Sequence, residues 1–244
     1  MTNEFDHIEF SPIWNHRYEK WFQEVQYNGT ELNAAARKEF IKIADDTISD
    51  YLEGLPLLKE TLEQIKDLHD EYNNSYRVVV SVMQFTMITM IDNMVISKYF
   101  ILADKDYDRR FMRGKMMVIL NEGFKKLYGF EEKTHQKSEW NRLVPVLEYF
   151  PVNVQNQYKH LSSLLEEHSK SSSWWRDERN VETHLDIEKL YESRCENVIE
   201  SKVMIDSLKL FNTLYAVNLF LTNMHTCFYN YLLDKYQRGE LKEE

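Results

Sequence analysis

Glycine, proline and cysteine are all scarce in this chain: six, four and two in 244 residues. Few glycines and prolines mean few turns and long elements, which is the pattern of an all-helical protein. Neither Cys195 nor Cys227 belongs to a pair with metal-ligand spacing. Reduced thiols in a cytosolic protein are the expectation, not a disulfide framework or a zinc knot. Positive charge is also in deficit, with a formal net charge of −10. Such a chain does not attract nucleic acid through its overall field, so any nucleic-acid site must be a local basic patch. The N-terminus is acidic and lacks an apolar run, so no signal peptide is expected. The most apolar stretch, 78–91, lies between Arg77 and Asp92 and contains Gln84, Thr86 and Thr89. It is too short and too polar to span a bilayer and reads as a buried helix, so no membrane contact is expected.

Several chemistries are not expected either. A phosphate-cradling glycine loop, Gly-x-Ser-x-Gly and His-Glu-x-x-His are missing. A di-iron bundle needs Glu-x-x-His on two helices. The histidines at 7, 16, 69, 135, 160, 168 and 225 are scattered and suggest no ligand set. The Asp104, Asp106, Asp108 spacing matches the start of a calcium loop. Arg109 and Lys115 stand where that loop needs glycine and glutamate, which rules it out. No metal and no cofactor are expected.

What is present is hydrophobic residues at 43%, aromatics at 14% and charged residues at 29%, a soluble globular profile. Residues 1–30 are rich in aromatics and read as a helix or arm packed on the body. Ala36, Phe40, Ile43, Ile48, Tyr51 and Leu55 recur at helical spacing, predicting a helix over about 31–52. Gly54 and Pro56 read as its stop and as the start of a second helix over 56–73. A third, 76–103, is apolar nearly all round and should be the most buried. Its methionines 83, 87, 90 and 94 read as core. An aspartate-capped helix follows to about 128, then shorter helices over about 140–150 and 153–168. The last helix is predicted from about 186 to 236, bent near Asn197, with a near-heptad seam of Val203, Leu210, Leu214, Val217, Leu221, Met224, Phe228 and Tyr231. The expected fold is all-α, a mostly antiparallel helical bundle with long helices. Residues 1–55 are an N-terminal extension and 56–244 the bundle.

One segment stands apart. Trp174-Trp175-Arg176-Asp177-Glu178 precedes Arg179-Asn180-Val181-Glu182-Thr183-His184. Histidine changes charge near neutral pH and moves protons. Arginine is always charged and grips phosphate through two parallel hydrogen bonds. In this form, inside an all-helical chain, the segment resembles the HEPN superfamily of helical-bundle proteins, many of them RNases. The motif covers 179–184, and the likeness in fold extends over about 56–236. The resemblance implies metal-independent cleavage of RNA at a site formed by two such domains, hence a homodimer. His184 would act on the 2′-hydroxyl or the leaving oxygen, Arg179 would hold the phosphate, and Asn180 would orient one of them. It also implies a toxin or defence component, with an antitoxin or regulatory protein as partner.

On a continuous helix, Arg179 and His184 lie about 140° apart. Thr183 and Asp186 read as a capping box that would start a helix between them and relax that angle. Arg176 joins the expected phosphate contacts. So do Arg109 and Arg113 from a local excess of Lys105, Arg109, Arg110, Arg113, Lys115, Lys125 and Lys126 over three acids. Asp92 and Asn93 interrupt the most apolar helix, and a buried carboxylate there needs a partner, for which Arg179 and His184 are candidates. The competing reading is a solvated charged face with intrahelical ion pairs. The protein would then be a non-catalytic helical scaffold or a nucleotide- or protein-binding module.

Overall fold

The computed structural model describes residues 32–66, 73–171, 175–184, 187–195 and 200–240. The α-helices are α1 (Ala34–Gln64), α2 (Asn73–Leu102), α3 (Asp106–Leu127), α4 (Glu132–His135), α5 (Val152–Ser171), α6 (Trp175–His184), α7 (Ile187–Cys195) and α8 (Glu200–Gln237). Two 3-10 turns, Asn141–Leu143 and Pro145–Tyr149, join α4 to α5. No strand occurs among the described residues, so the fold is all-α. The expected arm over residues 1–30 lies outside the described residues.

Helix α2 is the centre of the bundle, packed by α1, α3 and α8. Cross-helix contacts give the directions. Arg37 donates to the Ile101 carbonyl at 3.0 Å, and Lys98 pairs with Asp45. The Gly54 backbone meets Met87. Contact positions fall on α2 as they rise on α1, so the two run antiparallel. Tyr76 with His225, Thr86 with Asn218 and Asn93 with Ser207 show the same for α8. The methionines at 83, 87, 90 and 94 are all buried. At mean hydropathy 1.6, α2 is long and apolar enough to cross a membrane. Here its apolar surface is spent on three helices.

Buried polar groups in the middle of α2 are satisfied within the core, as burial demands. Asn93 Nδ2 donates to the Ser207 carbonyl at 2.9 Å, and Ser97 and Ser207 share a hydroxyl bond of 2.6 Å. Asn93 therefore needs neither Arg179 nor His184. Asp92 is exposed and needs no buried partner.

Some boundaries differ from the sequence expectation. Gly54 and Pro56 do not divide α1, which runs through both. Gly54 serves a close crossing, because a Cβ there would stand 2.8 Å from Met87 Cε. Pro56 leaves the carbonyl of Leu52 without its helical donor, at a residue that is exposed. Next, α3 has Lys105 at its N-cap with no side-chain cap, and Asp106 and Asp108 instead place negative charge in its first turn. The expected last helix is described over α7 and α8, and the bend expected near Asn197 lies at residues 196–199, outside the described residues. The seam on α8 holds: Val203, Leu210, Leu214, Val217, Leu221, Met224 and Phe228 are buried.

Candidate functional site

Helix α6 carries the Arg-Asn-x-x-x-His segment and packs chiefly on α3. Trp175 anchors its first turn. The indole is fully buried and meets the ring of His168 edge-on, centroids 5.2 Å apart. His168 in turn stacks on Phe124 at 4.5 Å and shares a 3.1 Å bond from Nδ1 to the Thr213 hydroxyl. Trp174 and Asp186, and the side chains of Arg176 and His184, lie outside the described residues.

A second anchor comes from Glu182, one turn beyond Arg179. Its carboxylate lies directly over the backbone of Gly114 on α3, in space that any Cβ would fill. Arg194 of α7 grips it through both nitrogens, at 2.5 and 2.6 Å. The side chains of this pair are 13% and 4% exposed, for Arg194 and Glu182 respectively. Arg110 donates to the Arg194 carbonyl, and the Arg194 guanidinium stands 5.8 Å from the centre of the Phe111 ring. Gly114, Glu182 and Arg194 thus tie α3, α6 and α7 together. The competing sequence reading put Glu182 on a solvated face, and Gly114 and Arg194 carried no expectation. The available signal was Gly114 itself, a glycine in mid-helix, which marks close approach of another group.

Arg179 is held differently. Its Nη1 donates to Asn180 Oδ1 at 2.7 Å, so the neighbouring amide fixes the plane of the guanidinium. Its Nε donates to Glu122 Oε1 of α3 at 2.6 Å, and Nη2 contacts the same oxygen. Here the arginine side chain is 17% exposed and the glutamate 46%. The Nε–Nη2 edge, the one that binds oxyanions in bidentate fashion, faces a carboxylate that is open to solvent.

The angle between Arg179 and His184 is not relaxed. Helix α6 runs without interruption from Trp175 to His184. Thr183 sits inside it and donates to the Arg179 carbonyl at 3.0 Å, so it does not start a new helix there. The two motif positions therefore remain about 140° apart around one helix.

The basic residues of α3 are spread over several tasks. Arg109 Nε closes the start of its helix on the Ala103 carbonyl at 2.9 Å. Arg110 serves the α7 contact. Arg113 lies near Asp206 of α8 and helps offset its burial. Lys126 pairs with Glu139 at 2.9 Å, and Lys115 lies over Phe111 at 5.1 Å. Arg109 and Arg113, expected at the phosphate, are both half-buried.

No group of three or more histidines, cysteines, aspartates or glutamates among the described residues could hold a metal. The Glu-x-x-His spacing does occur, at Glu132–His135 on the one-turn helix α4 and at Glu4–His7 outside the described residues. His135 is engaged structurally, through Nδ1 to the Tyr128 carbonyl at 2.9 Å. Both cysteines are free, Cys195 exposed and Cys227 buried, and burial pushes the Cys227 thiol up to about 11. Compared with known protein families, curated proteins and solved structures, the chain matches none.

Proposed function

We propose that the chain is a metal-independent endoribonuclease of HEPN type, working in the cytosol as a homodimer. One observation carries the reading. The guanidinium of Arg179 is oriented by Asn180 and presents its bidentate edge to the half-exposed carboxylate of Glu122. That edge is an oxyanion receptor with an exchangeable occupant, and a phosphodiester is the competitor it suits.

His184 supplies the proton transfers. From its place on the same helix it does not reach the phosphate that its own Arg179 holds, so the partner copy supplies the histidine. In a two-fold pair the partner's His184 takes the proton of the 2′-hydroxyl. The 2′-oxygen then attacks phosphorus, the bond from phosphorus to the 5′-oxygen breaks, and that oxygen leaves with a proton from water. The products are a 2′,3′-cyclic phosphate and a 5′-hydroxyl. Arg179 neutralises the charge that builds on the phosphoryl oxygens. The role of toxin or defence component, with an antitoxin or regulatory protein as partner, follows from the family resemblance alone.

A second reading has its own support. Arg179 and Glu182 both pair with residues of neighbouring helices. A scaffold protein would use α6 in the same way, as a bracket between α3 and α7. The two readings separate on two variants. His184→Ala should abolish RNA cleavage at unchanged melting temperature, since proton transfer contributes roughly 10²–10⁴-fold. Arg179→Lys should lose most activity, because an ammonium lacks the planar fork. Cleavage by the parent protein should survive EDTA. A parent protein inert on RNA, with both variants melting lower, would leave the scaffold reading standing.

A further inference from the structure

A groove of about 540 Å³ lies between α1, α2 and α8, and no residue of the 174–184 segment is among the described residues that line it. Its volume falls in the range of small-molecule sites. Met83 and Met87 of α2 and the rings of Phe211 and Tyr215 of α8 form its apolar walls. Gly54 shapes it from α1, since the absent side chain lets Met87 close on the helix backbone.

The charge in the groove is all of one sign. Asp46 and Asp50 of α1 line it, one turn apart on the same face, and both are exposed. Like charges at that spacing repel and destabilise a helix. Neither carboxylate has an ion-pair or hydrogen-bond partner among the described residues, whereas the adjacent Asp45 pairs with Lys98. No lysine or arginine is among the described residues that line the groove. His225 does not offset the carboxylates. It shares a 3.1 Å bond with the Tyr76 hydroxyl, and burial holds its pKa below the ordinary histidine value, so it is neutral at pH 7.

We propose that this groove binds a small organic cation, an amine whose ammonium sits between the Asp46 and Asp50 carboxylates and whose apolar body lies on Met83, Met87, Phe211 and Tyr215. Each part of the lining has a counterpart in such a ligand. The carboxylates match the charge and relieve their own repulsion. The ring faces attract a cation, and the thioethers adapt to an irregular apolar body. An anion of the same shape would meet two carboxylates and, among the described lining residues, no lysine or arginine. The proposal stands apart from the ribonuclease reading and shares no residue with it.

Calorimetric titration of the full chain with phenethylamine, and with 3-phenylpropanoate as the anion of similar size, tests it. The amine is expected to bind and the acid to show no heat of binding. In the double variant Asp46→Asn/Asp50→Asn, amine affinity should fall at least about tenfold, the loss of a hydrogen-bonded charge pair. Both positions are exposed, so the variant should fold with an unchanged or raised melting temperature. No binding of the amine at millimolar concentration, equal binding of amine and acid, or undiminished amine binding by the folded double variant would each overturn the proposal.

Discussion

Gly114→Ala is the perturbation that most directly tests how α6 is held. The new methyl carbon would occupy the space of the Glu182 carboxyl group, well inside van der Waals contact. A glutamate end group is flexible and could swing aside elsewhere. Here it is fixed by two bonds to Arg194, at 2.5 and 2.6 Å, and both side chains are largely buried. Moving it breaks that pair and leaves charge without its partner, which costs about 3–5 kcal/mol for a buried couple. The lower end applies, because Arg194 keeps some solvent contact. A loss of about 3 kcal/mol lowers Tm by roughly 6–12 °C in a chain of this size. The assay is thermal or urea denaturation of four proteins: parent, Gly114→Ala, Glu182→Ala and the double variant. If the methyl acts only through the carboxylate, Gly114→Ala should cost little in the Glu182→Ala background, and the cycle should show strong coupling. A Gly114→Ala protein as stable as the parent would refute the reasoning. So would additive losses in the double variant, which would place the strain in the α3 backbone.

Other expectations follow from the same geometry. Glu122→Gln removes the charge that competes for Arg179, so affinity for single-stranded RNA oligonucleotides should rise several-fold in a binding titration, while stability changes by less than about 1 kcal/mol for so exposed a partner; weaker RNA binding would count against the exchange idea. Two buried groups near Trp175 should oppose each other with pH. Burial, with help from Lys209, lowers the His168 pKa to about 4, so its folded form resists protonation. The stability this provides is complete above pH 6.5 and is lost as pH falls towards 4. Burial raises the Asp206 pKa to about 6, against the pull of Lys209, Lys202 and Arg113, so this carboxyl prefers its proton in the folded state. Its contribution is complete below the ordinary value of 3.8 and is lost as pH rises towards 6. The two slopes offset each other between about pH 4 and 6. In melts across that range, Asp206→Asn should lose stability on acidification more steeply than the parent, and His168→Gln should gain it. Parallel profiles for all three proteins would show that neither group titrates as described.

Much of the fold was legible because the signals were long. Scarce glycine and proline pointed to helices. The spacing of Phe40 and Ile43 on α1, and of the α8 seam from Val203 to Phe228, marked residues that are buried. The misreadings fall where a local rule met tertiary packing. Gly54 with Pro56 reads as a helix boundary, yet the glycine serves a crossing with Met87 and the proline sits inside a continuous helix. The candidate site was harder still. Residues 176–182 read as either a catalytic segment or a face of intrahelical pairs, both of them local accounts. The partners that matter lie 57 positions away for Arg179 and 12 for Glu182, on other helices. Spacing along one helix carries no information about them. Their difference in burial has a consequence for function. The Glu182–Arg194 pair is largely buried and fixes the helix, whereas the Glu122–Arg179 pair has a carboxylate that is open to solvent. In the ribonuclease reading we propose, the first pair would be a rigid mount and the second a replaceable occupant, one turn apart on α6.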